Sequence, residues 1–166
     1  MYDYVTMLLF DEGSSLLIQT LKDKLKTQGV NIGRKAWPPH ITVDLFKNIP
    51  LATLLDKTDI LIKDVPAFNV TIQGFGDFNK RVLFLKPQAN DNFQNIKAKS
   101  DALLAAYSIE QNKRPYYPHV TLAYGQTVNS VTVNIETDFL PINATILFFA
   151  VYNRQLVLQK KYQLLI

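Results

Sequence analysis

The 166-residue chain contains no cysteine. That absence excludes a disulfide framework, a thiolate nucleophile and every cysteine-based zinc or iron–sulfur site. Histidine is nearly as scarce: there are two in the whole chain, and methionine also numbers two. The longest apolar run, residues 146–152, falls far short of the roughly 20 residues that a spanning helix needs. The first twelve residues carry Asp3, Asp11 and Glu12 and lack the basic start of a secretory signal. A cytoplasmic protein with no membrane association is therefore expected. Two sequons, Asn69-Val70-Thr71 and Asn143-Ala144-Thr145, fall in strand-like segments and are read as chance. Ser/Gly-rich linkers and long charge runs are missing too, so residues 1–166 read as one folded unit.

Apolar residues make up 48% of the chain and charged residues 19%, enough to build a sizeable core and too apolar for a disordered tail. Eighteen Lys and Arg against 14 Asp and Glu give a net charge of +4, compatible with an anionic ligand without demanding one.

Residues 2–10 are apolar and β-prone, a first strand. Ser14 is placed to cap a helix over residues 14–28, with Leu17, Leu21 and Leu25 on one face and Lys22, Lys24 and Lys26 on the solvated side. Strands are expected over residues 41–46, 68–75, 81–86 and 120–124, and helices over 51–63 (opened by Pro50) and 91–107. The turn before residue 81 is assigned to Gly76, Asp77 and Asn79. Residues 144–152 and 155–164 suggest a closing hairpin. Residues 126–138 suit either a strand or a short helix. The sum is an α+β chain with two helix–strand groupings of similar size.

Both histidines sit in the same local phrase. The first is Arg34-Lys35-Ala36-Trp37-Pro38-Pro39-His40-Ile41-Thr42-Val43, and the second is Lys113-Arg114-Pro115-Tyr116-Tyr117-Pro118-His119-Val120-Thr121-Leu122. Each has two basic residues six and five positions before the His, an aromatic three before and a Pro one before. The copies lie 79 residues apart (40 and 119), a single internal duplication. Strand alternation puts His40 and Thr42 on one face, continued by Asp44 and Phe46, with Ile41, Val43 and Leu45 on the other. It likewise puts His119 and Thr121 opposite Val120, Leu122 and Tyr124, so Tyr124 is expected in the core. Two His and two Thr make an acid–base set that needs no metal and no cofactor. Imidazole titrates near neutrality, so one ring can accept a proton while the other donates one. A Thr hydroxyl can hold a phosphate oxygen. Two such pairs facing each other fit in-line displacement at phosphorus, with either His as base.

This pair of His-hydrophobic-Thr-hydrophobic motifs resembles the 2H (two-histidine) phosphoesterase superfamily, most closely its bacterial 2′,5′-RNA ligase-like, or RNA cyclic phosphodiesterase, branch. The resemblance covers nearly the whole chain, including His40-Ile41-Thr42-Val43, the residue 68–84 hairpin with Gly74 and Gly76, and His119-Val120-Thr121-Leu122. It implies a bilobed fold in which two antiparallel sheets form a V-shaped cleft with helices outside. It implies chemistry on 2′,3′-cyclic phosphates or 2′,5′-linked nucleotides, carried by His40, Thr42, His119 and Thr121. Many relatives of that branch carry Arg five positions beyond the second His, where this chain has Tyr124.

Trp37, Tyr116 and Tyr117 are candidates for stacking on a nucleobase or for packing at the cleft rim. Arg34, Lys35, Lys113 and Arg114 are candidates for phosphate contacts. Asp44 reads as a residue supporting the site or facing solvent. Gly74-Phe75-Gly76 lacks the third glycine and following helix of a nucleotide loop and reads as a hairpin bend or bulge. The expectation is a cytoplasmic monomer acting on an RNA end or nucleotide phosphoester. A non-catalytic module binding such ends in the same cleft is the alternative.

Overall fold

Short alternating apolar runs become strands and a 3.6-residue apolar stripe becomes each helix. The computed structural model describes residues 1–33, 37–109, 115–125 and 139–166. The elements are β1 (Tyr4–Phe10), α1 (Glu12–Thr27), β2 (His40–Phe46), α2 (Leu51–Ile62), β3 (Phe68–Phe78), β4 (Val82–Pro87), α3 (Asp91–Leu104), β5 (Val120–Tyr124), β6 (Ile142–Asn153) and β7 (Leu158–Gln163). A 3-10 turn, Ala105–Tyr107, extends α3 to the end expected for that helix. Residues 126–138, ambiguous in the sequence, lie outside the described residues. None of the described helices is long and apolar enough to cross a membrane.

The chain is α+β, as expected. Among the described residues the named strands pair antiparallel, in the order β2-β1-β6-β3-β4-β5, with β7 beside β6. Exchanging β1 with β4, β2 with β5 and β3 with β6 reverses that order and so leaves its pairings unchanged. α1 and α3 also begin 79 residues apart (12 and 91), the spacing of the two histidines. The duplication thus extends from the two motifs to the strand order. The two strand groups expected as separate sheets are joined by the β6–β3 ladder into one seven-stranded sheet. β2 and β5 lie at opposite ends of the pairing order and yet touch, so the sheet folds back to bring its two ends together.

The main core lies between the sheet and the helices and includes Leu8, Ile41, Phe46, Phe93, Val120 and Phe149. Each fully buried side chain of this kind contributes about 1.5–3 kcal/mol relative to exposure. A smaller cluster, Val5, Met7 and Leu9, fills the other face of β1, with Trp37 and Leu45 packed against it.

Three local expectations are corrected. The cap of α1 is Asp11, whose carboxylate accepts from the Ser14 backbone N–H (2.9 Å) and the Ser14 hydroxyl (2.8 Å). A carboxylate at this position also complements the helix dipole, so the helix starts earlier than Ser14. The buried stripe of α1 is Ser14, Ile18, Leu21, Lys22 and Leu25, while Leu17 is exposed. Lys22, expected in solvent, belongs to that stripe because it lies four residues after Ile18 and three before Leu25. The β3–β4 turn is Asn79-Lys80, both at positive φ (52° and 59°), and Gly76 and Asp77 remain within β3. Gly76 faces Phe84 across the ladder, and a Cβ there would lie 2.5 Å from the Phe84 ring. The bulge expected around Gly74 falls between Ile72 and Gly74.

Candidate active site

The Pro before each histidine favours extended backbone at the approach to the strand. His40 opens β2 and His119 immediately precedes β5. Each ring is held the same way. Nδ1 of His40 lies 2.8 Å from the Pro38 carbonyl oxygen, and Nδ1 of His119 lies 2.7 Å from that of Tyr117. A carbonyl only accepts, so Nδ1 carries the proton in both rings. The nitrogen left to exchange protons in the neutral ring is then Nε2.

Beyond these bonds the two environments differ. Trp37 packs edge-on to His40 (centroids 5.4 Å apart, planes at 85°). His40 is partly buried at the edge of the cleft, and desolvation pushes its pKa down to about 4. The Pro38 carbonyl opposes the shift, while the charges of Lys22 and His119 add to it. The rings of Phe78 and Phe84 lie 5.0 and 5.2 Å from that of His119, with Tyr117 at 6.4 Å.

Both strands depart from simple alternation at equivalent positions. In the β1–β2 ladder Thr42 pairs with Met7 and Asp44 with Thr6, leaving Val43 as an extra residue. In the β4–β5 ladder Thr121 pairs with Phe84 and Ala123 with Leu83, leaving Leu122 extra. Each bulge follows the threonine of its motif and reverses the strand's phase. His40 and Thr42 keep their expected face, with Ile41 and Val43 in the core. After the bulge, however, Phe46 is in the core and Leu45 faces a cavity. Tyr124, expected in the core, is 43% exposed and lines the cleft, with Gly33 beneath its ring.

Two cavities make up that cleft. One of about 850 Å³ contains His40, Lys22, Trp37 and Arg154. The other, about 380 Å³, contains Thr42, His119, Tyr116 and Tyr117. Thr121 and Tyr124 line both, so the cavities meet between the two motifs. Burial raises the pKa of the Tyr124 phenol and the neighbouring Thr121 hydroxyl works against that rise.

Tyr116 donates its hydroxyl to the Thr42 carbonyl (2.8 Å), tying the segment before β5 to β2. Burial, assisted by the charge of Asp44, holds this phenol far above its ordinary pKa. Tyr117 is exposed at the His119 end. Asp44 is buried rather than solvated. It pairs with Lys97 of α3 (2.7 Å) and accepts from the Ser108 hydroxyl (2.6 Å) and the Leu45 N–H (2.8 Å). Arg34, Lys35, Lys113 and Arg114 lie outside the described residues. Among the described residues no group of three His, Cys, Asp or Glu side chains is placed to hold a metal ion. Sequence reasoning missed Lys22, Phe78 and Phe84. Only Lys22 carried a signal, its position within the Ile18–Leu21–Leu25 stripe.

A family model of the 2′-5′ RNA ligase superfamily matches residues 10–155. The chain belongs to that superfamily, a family of 2H phosphoesterases and RNA ligases. Its fold is similar to that of Escherichia coli LigT in apo form (TM-score 0.70, 14% identity, 99% of this chain and 98% of that one). It is likewise similar to LigT complexed with 3′-AMP (TM-score 0.69, 16% identity, 98% of each chain). TT0787 of Thermus thermophilus is comparable (TM-score 0.68, 18% identity, 98% of this chain and 97% of that one). A comparison of the sequence with curated proteins finds no match.

Proposed function

We propose that the chain is a phosphoesterase that opens 2′,3′-cyclic phosphates on nucleotides or RNA ends by two-histidine acid–base catalysis. One observation carries this reading. Two His-x-Thr pairs, each with its imidazole oriented by a carbonyl two residues upstream, open onto cavities that join at Thr121 and Tyr124. A phosphorus atom at that junction has a histidine on each side. One Nε2 takes the proton of an attacking water as its oxygen bonds to phosphorus. The other ring, protonated, gives its proton to the ribose oxygen as the P–O bond breaks. Water is consumed and a 2′- or 3′-phosphomonoester is left. The hydroxyls of Thr42 and Thr121 donate to the non-bridging oxygens, where negative charge builds up. A ribose hydroxyl in place of water forms a 2′,5′ bond by the same steps.

A nucleotide substrate is supported by the relatives solved with 3′-AMP and, in Kluyveromyces marxianus Usb1, with uridine monophosphate. The aromatic flank of His119, with Tyr117 exposed, suits a base, and Trp37 borders the other cavity. We place the reaction in the cytoplasm and in a single copy of the chain, since both motifs come from one polypeptide.

The test is a panel of 2′,3′-cyclic nucleotides and RNAs with cyclic ends, assayed with and without a chelator. Product is identified as 2′- or 3′-phosphate. Turnover that the chelator leaves intact is expected. Binding without product across the panel would replace the enzyme with a module that recognises such ends.

A further inference from the structure

Lys22 is 8% exposed and lines the cavity that holds His40 and Thr121. A buried ammonium is costly unless an opposite charge or hydrogen bonds replace its water. Among the described residues Lys22 has neither an ion pair nor a hydrogen bond from its ammonium. Their ion pairs join Lys97 to Asp44 and Asp101, and Lys160 to Asp59. Asp23, next in sequence, accepts instead from the Gln19 side chain (3.0 Å) on the exposed face of α1. No carboxylate of the described residues lines the cavity. Burial lowers the pKa of Lys22, with Asp23 pulling it back up, and the charge of Lys22 in turn depresses His40.

The strand of the other half that α1 packs against offers no partner either. α3 packs against β2, and there a partly buried lysine, Lys97, meets Asp44. α1 packs against β5 in the equivalent way. On β5 the position matching Asp44 is Ala123 (44 + 79), which offers no charge. At the same offset Lys97 matches Ile18 (18 + 79) and Lys22 matches Asp101 (22 + 79), so Lys22 is not the counterpart of Lys97, and β5 offers it no charge at the Asp44 position. A lysine kept for packing alone would serve better as methionine or leucine.

We propose that Lys22 is a phosphate-binding residue, its ammonium held on α1 to meet a phosphate oxygen of the ligand in the His40 cavity. The proposal rests on the phosphoester reading of the cleft and adds an anion contact from outside both motifs. The aliphatic stem packs in the α1 stripe while the head turns to the cavity. Before ligand arrives, this charge helps keep His40 unprotonated. A bound phosphate neutralises it and lets the ring take up a proton more readily.

The test compares the full chain with Lys22→Met, which preserves the buried stem, and Lys22→Arg, which restores the charge. Inorganic phosphate is the probe, with affinity from calorimetry and the His40 titration from NMR. Lys22→Met is expected to bind phosphate at least about tenfold more weakly, since a charge-assisted contact contributes more than about 1.4 kcal/mol. Lys22→Arg recovers most of that loss, and the unliganded His40 midpoint rises in Lys22→Met. Equal phosphate affinity in parent and Lys22→Met, or no phosphate binding by the parent, overturns the proposal. If Lys22→Met does not fold, lysine acetylation of the parent decides. Phosphate should slow modification of Lys22 relative to Lys160, and an unchanged rate overturns the assignment. The two readings fail separately. Cyclic nucleotides turned over equally by parent and Lys22→Met remove Lys22 and leave the phosphoesterase. Phosphate binding that depends on Lys22, without turnover anywhere in the panel, does the reverse.

Discussion

Val43 and Leu122 occupy the same structural position: each is the extra residue of a β-bulge three places after a histidine. A bulge at this point gives a motif strand two tasks. Before it, His and Thr face the cleft while the residue between them anchors the strand in the core. After it, the fifth residue beyond the His also turns to the cleft, Leu45 on β2 and Tyr124 on β5. Tyr124 thereby stands between the two cavities although alternation assigns it to the core.

The first prediction concerns His40. Its folded pKa is about 4 against an ordinary value of 6.5. Between those values the unfolded chain binds the proton that the folded chain refuses. The stabilisation from this group is therefore complete above about pH 6.5 and is lost progressively as pH falls from there to about 4. NMR of the ring should give a midpoint near 4 in the unliganded protein. Urea melts at about pH 7 and about pH 5 should show a larger loss for the parent than for His40→Gln.

Asp44 should matter to stability more than its place near the cleft suggests. Its buried carboxylate joins α3, β2 and Ser108 in one partly buried network. Asp44→Ala leaves Lys97 with Asp101 alone. The expected cost is about 1.5–3 kcal/mol, that of a hydrogen bond to a charged group, and a loss under about 1 kcal/mol in chemical denaturation contradicts the account.

Gly76→Ala tests the support beneath His119. A Cβ at position 76 would lie 2.5 Å from the Phe84 ring, which is buried and packs 5.2 Å from His119. Overpacking of this kind costs about 1–3 kcal/mol. Displacement of Phe84 also moves His119, so kcat should fall in the folded variant while the His40 titration stays where it is.

Much of this was legible in the sequence because both phrases repeat the same residue types at the same positions around a histidine. The repeat located the motif strands, and periodicity located α2, α3 and β5 closely. The β-bulges were not legible, because no residue type marks an extra position in a ladder whose partner strand is unknown. Alternation therefore holds up to Thr42 and Thr121 and fails for Leu45, Phe46 and Tyr124. Lys22 escaped because a charged side chain is given to solvent by type, although its spacing places it in the apolar stripe. Phe78 and Phe84 reach His119 only through hairpin register, which depends on a turn at Asn79-Lys80 rather than at Gly76.

The most direct measurement is the rate of 2′,3′-cyclic phosphate opening by His40→Ala and His119→Ala, each compared with the parent chain at neutral pH. A positioned acid or base contributes about 10²- to 10⁴-fold. Each variant should lose at least that lower factor while still folding. Full activity in either variant would contradict the two-histidine account.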